Sequence, residues 1–184
     1  MNQEIRIIGG RYRGKKISFP LIAGLRPTPD RVRETLFNWL MHDIREAECL
    51  DAFAGSGALG IEAFSRGAKS VTFIEMSQPA YQCLSQEIKT FQSEQLKILH
   101  QDIRIFIQNT HQASFDLVFY DPPFANLTFY NKTIIEDIAR ILKNGGLLYL
   151  ESPHEITLET TTWEQLKLKK AGQVTYSLYR KREN

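Results

Sequence analysis

The sequence predicts an α/β fold of Rossmann-like type: a mostly parallel seven-stranded sheet with helices on both faces, preceded by a basic β-hairpin and a helix. Three observations carry this. Apolar strand-like runs alternate with helical segments after residue 46, the pattern of a parallel sheet built from crossover units. Four successive runs end in or near a carboxylate, at Asp51, Glu75, Asp102 and Asp121, spaced 24, 27 and 19 residues apart. Each spacing fits one strand, one helix and two short connections. A glycine-rich loop, Gly55-Ser56-Gly57-Ala58-Leu59-Gly60, follows the first of these runs.

Taken in chain order, Ile5 to Ser18 reads as a basic two-stranded hairpin turning at Gly9-Gly10. A loop leads to Arg26-Pro27. Thr28 is then placed as the N-cap of a helix, with Pro29 at its first position. Val32, Leu36, Trp39 and Leu40 form the apolar face of that helix. No linker composition separates residues 1–45, so residues 1–184 are expected to form one domain, with 1–45 packed on the core. Cys49-Leu50 lead into Asp51, and Val71 to Ile74 into Glu75. Ser77 opens a helix whose apolar face is Tyr81, Leu84, Ile88 and Phe91. Leu96 to Leu99 lead towards Asp102, and Leu117 to Tyr120 into Asp121-Pro122-Pro123-Phe124. Ile134, Ile135, Ile138 and Leu142 mark a helix ended by Gly145-Gly146. Leu147 to Leu150 give a fifth strand, and a hairpin around Gly172 adds two more.

With 184 residues, 42% hydrophobic and 24% charged, the chain is long enough for one ordinary soluble domain. No apolar stretch approaches a membrane span, and no apolar region follows Met1 to Arg6 as in a signal peptide. A cytoplasmic monomer is expected. Cys49 and Cys83 stand apart, and the four histidines show no ligand spacing, so no metal is expected. Residues 1–45 carry nine Lys/Arg against four Asp/Glu, and the remainder fourteen against seventeen. That asymmetry suits a basic surface for a polyanion.

In an open α/β sheet, ligands bind beyond the carboxyl ends of the strands. The four acidic ends therefore converge on one crevice. Gly55, Gly57 and Gly60 satisfy the dinucleotide pattern G-x-G-x-x-G, and Glu75 ends the next strand. Asp51, four residues before Gly55, opposes that reading. A carboxylate there repels a pyrophosphate and attracts an ammonium, as in the methionine part of S-adenosylmethionine. Downstream, two prolines stop the strand before them, since they fix φ and donate no N–H. The tetrad then presents a carboxylate, the Pro122 carbonyl and the Phe124 ring. These suit a planar amine: two acceptors for its N–H groups and a ring for its heterocycle.

Together, the Asp51–Gly60 loop, Glu75, Asp102 and the tetrad resemble class I S-adenosylmethionine-dependent methyltransferases acting on exocyclic amines. Arg6-Ile-Ile-Gly-Gly-Arg-Tyr-Arg-Gly-Lys-Lys and Arg26-Pro-Thr-Pro-Asp-Arg-Val-Arg-Glu-Thr-Leu-Phe-Asn-Trp-Leu further resemble the bacterial 16S ribosomal RNA (guanine(966)-N2)-methyltransferase family, over nearly the whole chain. The resemblance implies that Asp51, Phe53, Gly55, Ser56 and Gly57 hold the methionine end of the cofactor. It places Glu75 on the ribose hydroxyls with Met76 against the adenine, and Asp102 on the adenine amine with Ile103 beside the ring. The segment through Thr28 faces the cofactor carboxylate. Asp121 and the Pro122 carbonyl grip the guanine N2 amine, and Phe124 stacks on the flipped base. Arg11, Arg13, Lys15, Lys16, Arg31 and Arg33 hold phosphates, with 16S ribosomal RNA in the small subunit as partner. The residues alone leave open an adenine-N6 methyltransferase, a non-catalytic RNA-binding or ribosome-assembly module, and a dinucleotide oxidoreductase.

Overall fold

A computed structural model describes residues 2–183. Met1 and Asn184, the ends of the expected domain, lie outside the described residues. Seven strands form the main sheet in the order β5-β4-β3-β6-β7-β9-β8. They are β3 (Glu48–Asp51), β4 (Ser70–Glu75), β5 (Leu96–His100), β6 (Phe115–Tyr120), β7 (Leu142–Ser152), β8 (Trp163–Ala171) and β9 (Val174–Lys181). Strands β3 to β7 pair in parallel, and β9 runs antiparallel between β7 and β8. The order reverses between β3 and β6, so a crevice opens there at the carboxyl ends of the strands.

Alternation along each strand feeds two cores. Cys49, Leu117, Phe119, Leu147 and Tyr149 face one side, under α1 (Asp30–Trp39), α2 (Ala58–Ser65) and α3 (Gln78–Lys89). Leu50, Val118, Tyr120, Leu148 and Leu150 face the other, under α4 (Ile103–Asn109) and α5 (Lys132–Ile141). Helices thus cover both faces, and the class I arrangement holds. The apolar stripes behave as their spacing predicts. Leu84 and Ile88 of α3 and Ile135 and Ile138 of α5 are buried, and each contributes about 1.5–3 kcal/mol on leaving water.

Three local expectations need correction. β1 (Asn2–Arg6) and β2 (Lys16–Pro20) pair antiparallel, from Asn2↔Pro20 to Arg6↔Lys16, but residues 7–15 form a folded loop rather than a turn at Gly9-Gly10. The cause is α2. The Glu62 carboxylate accepts the N–H groups of Ile8 and Gly9 at 3.0 and 2.8 Å, and Ser65 O accepts that of Arg11 at 2.7 Å. A side chain at Gly10, where φ is +77°, would start 1.9 Å from Ser65 O. Second, Thr28 is not a helix cap. Pro29 occupies that position in extended geometry without a side-chain cap, and α1 begins at Asp30. Third, α5 ends at Ile141, and Gly145-Gly146 lie inside β7, where pairing with β6 jumps from Phe115↔Leu142 to Leu117↔Leu147.

Candidate active site

The crevice is a cleft of about 840 Å³ walled by the loop 22–29, the glycine loop, the ends of β4 to β7 and the turn after β6. It gathers Thr28, Asp51, Phe53, Gly55, Ser56, Glu75, Met76, Asp102, Ile103, Asp121, Pro122 and Phe124. Gly57 stands just behind this wall as the N-cap of α2, with φ +77°. None of the predicted RNA-contacting residues lines the cleft.

Asp51 ends β3 and is 3% exposed. One oxygen accepts the Gly60 N–H at 3.0 Å, which ties the carboxylate to the first turn of α2. Burial pushes its pKa up to about 7, and the neighbouring charges of Asp121 and Glu75 push the same way. Glu75 braces the loop: its two oxygens accept the N–H groups of Gly55 and Ser77, each at 2.7 Å. Asp102 caps α4 through the Arg104 N–H at 2.8 Å and also pairs with the Arg104 guanidinium, which holds its pKa below the usual carboxylate range. Its oxygens are therefore engaged already, and an adenine amine there must share them. Exposed Met76 and buried Ile103 offer apolar surface on either side. Phe53 is fixed edge-on against Tyr120 and Phe129, with centroids 5.0 and 4.9 Å away.

Asp121 follows β6 at the centre of the cleft. Burial, together with the neighbouring Glu151 charge, raises its pKa well above the ordinary value. Glu151 is buried at the end of β7, accepts the Tyr149 hydroxyl at 2.8 Å, and is itself pushed up to about 7, chiefly by burial. The Pro122 carbonyl accepts the Tyr130 hydroxyl at 2.9 Å, leaving one lone pair free. The Phe124 ring is 40% exposed to the cleft.

Glu151 is the residue that sequence reasoning missed. Its signal was present: it follows the run Leu147 to Leu150 as Asp121 follows Leu117 to Tyr120. Arg33, expected on RNA, requires correction. It is fully buried, with its guanidinium on Glu62 at 3.2 Å, on Asp30 and on the Arg6 carbonyl at 3.0 Å. Arg31 is exposed. Arg11, Arg13, Lys15 and Lys16 sit on or beside the loop docked at the far end of α2, about 10 Å along the helix from the glycine loop.

The chain as a whole, from residue 5 to residue 180, is similar to known proteins. The family described as Conserved hypothetical protein 95 matches residues 5–180. The ribosomal RNA small subunit methyltransferase D of Haemophilus influenzae is 45% identical over 96% of this chain and 93% of its own length. The protein of that name from Escherichia coli K12 is 41% identical over 97% and 90%. This chain belongs to that family. The solved structure of Escherichia coli yhhF, provisionally assigned as a methyltransferase, superposes with a TM-score of 0.87 at 38% identity, covering 98% of this chain and 99% of that one. SMU.776, solved as a complex with SAH, shares the fold at a TM-score of 0.71 and 14% identity, over 89% of this chain and 53% of that one. S-adenosylmethionine is the cofactor, and the residues present fit it, since an ammonium beside Asp51 relieves the repulsion among Asp51, Glu75 and Asp121.

Proposed function

We propose that this ribosomal RNA methyltransferase acts on the exocyclic N2 amine of a guanine in 16S ribosomal RNA. The observation that carries the reading is the Asp121–Glu151 carboxyl pair beside the Pro122 carbonyl and the Phe124 ring, inside the methyl-donor cleft. Close kinship to proteins named for the small ribosomal subunit supports the RNA, and a cytoplasmic monomer working on the assembled small subunit is part of the same reading. Among the described residues, no helix is long and apolar enough to cross a membrane.

When bound, S-adenosylmethionine supplies an electrophilic methyl group on a sulfonium. The chain's own residues hold and prepare the amine. A guanine amine is a poor nucleophile because its lone pair is delocalised into the ring. One N–H donates to Asp121 and the other to the free lone pair of the Pro122 carbonyl, and this favours the pyramidal nitrogen. Phe124 stacks on the base once it has left its helix. Tyr130 fixes the carbonyl from behind. As positive charge develops on nitrogen, the Asp121–Glu151 pair offsets it and takes the departing proton. Its raised proton affinity makes it a better base than an isolated exposed carboxylate. Alignment supplies much of the remainder, up to about 7–11 kcal/mol in well-oriented reactions. Asp51 and the Gly55 and Gly57 backbone hold the methionine end, Glu75 the ribose, and Met76, Asp102 and Ile103 the adenine. Arg26 and Thr28 in the wall face the carboxylate.

The test is nucleoside mass spectrometry of small-subunit RNA from a deletion strain. N2-methylguanosine falls if the reading holds; an unchanged level overturns it, and a loss of N6-methyladenosine instead assigns the other amine.

A further inference from the structure

A second concavity of about 360 Å³ opens between α1 and the tip of the β8–β9 hairpin. Its direction matters. β9 runs antiparallel to β7, so the hairpin tip at Gly172 lies at the carboxyl end of the parallel strands, the end that holds Asp121. Val32, Trp39 and Tyr176 form an apolar wall, and Arg31, Lys169 and Lys170 rim it. The three cations are exposed, and no carboxylate lines the groove. Among the described residues Arg31 and Lys169 make no ion pair, and Lys170 reaches only Glu155, at 3.6 Å. Tyr176 also lines the catalytic cleft, so groove and cleft share a wall.

The basic segment first expected on RNA is placed and spent differently. Lys16 pairs with Glu4 at 2.7 Å, Lys15 sits over the Phe91 ring at 4.7 Å, and Arg11 lies over Tyr12 at 5.4 Å. Of these, Arg11 docks on Ser65 at the end of α2, and Lys16 lies on β2.

We propose that the groove holds a nucleotide of the RNA strand flanking the target guanine, its base against Trp39 and Tyr176 and its phosphates on Arg31, Lys169 and Lys170. The inference rests on the RNA-methylating reading above. Aromatic surface beside cations is what unstacked RNA requires: bases stack on the rings, and the backbone follows the charge. The shared Tyr176 wall gives the strand a continuous path from groove to cleft.

The test uses the full-length enzyme and small-subunit particles from the deletion strain. K169E/K170E and, separately, R31E are expected to raise KM for the particles about tenfold, with kcat and S-adenosylmethionine affinity within about twofold of wild type. The slope of log affinity against log salt should flatten by about 0.7 for each phosphate that is no longer neutralised. K97E, at an exposed site on edge strand β5, provides the charge-matched control for R31E. Unchanged KM and salt slope in both groove variants overturn the proposal, as does an equal rise in K97E. Equilibrium binding of the particles judges the groove even if wild type leaves guanine N2 unmethylated, an outcome that overturns only the reading above.

Discussion

Carboxylates stand at both ends of α2, and their surroundings differ. At the carboxyl end, Glu62 is wholly buried, yet all its capacity is used: Arg33, Arg66 and the N–H groups of Ile8 and Gly9 donate to it. At the amino end, Asp51 is almost as buried but receives one N–H and faces two further acids. A saturated carboxylate holds structure together. An undersatisfied one among its own kind demands a ligand with positive charge. The contrast also reassigns the glycine-rich N-terminal motif. Gly9 and Gly10 permit the loop to approach α2 closely enough for Glu62 to bind it, so much of that motif is a clasp rather than a substrate reader.

The comparison breaks most visibly at its functional end. Asp121→Ala is expected to lower methyl transfer by about 10²–10⁴-fold with cofactor binding nearly intact, measured by single-turnover rates and calorimetry. Full activity in that variant refutes the role. Glu62→Ala strands buried Arg33 and should lose about 3–5 kcal/mol in denaturant unfolding, while the methyl-transfer rate per folded molecule stays at the wild-type value. A smaller effect is expected for Glu151→Gln: reduced turnover and a displaced pH–rate profile, because the carboxyl pair loses its second proton site. Protonation of Asp51 should weaken S-adenosylmethionine up to about fivefold between pH 7 and pH 6, measured calorimetrically. The stability signs run the other way. The fold raises the pKa of both Asp51 and Glu151 to about 7, so their contribution to ligand-free stability is complete below about pH 4 and lost as pH rises through 7. Smallest of all, Glu4→Gln breaks the exposed pair with Lys16 and should change stability by under about 1 kcal/mol.

The seven strands, the helices on both faces and the acids of the cleft were legible because period-2 alternation and acids at strand ends are local signals; Thr28, Phe53, Ser56, Met76 and Ile103 came from the family resemblance. Arg33 was not. Nothing in its neighbours distinguishes a phosphate-binding arginine from one that pairs with Glu62, twenty-nine residues away. Thr28 failed for a related reason: cap chemistry favoured it, but the chain needed that side chain in the cleft wall and began the helix at Asp30. The groove at Trp39 and Lys169 joins segments on opposite sides of the core sequence, and no short-range pattern announces it.

Strand β9 lies between β7 and β8, and it carries Tyr176, the residue common to cleft and groove. Synthesis proceeds from the N-terminus, so β8 must wait beside a vacant slot until β9 emerges to fill it. The wall common to cleft and groove is therefore among the last parts of the fold that the nascent chain completes. The glycine loop and Asp121 can be in place on a half-made sheet, but the Tyr176 wall that the proposed RNA path follows is not.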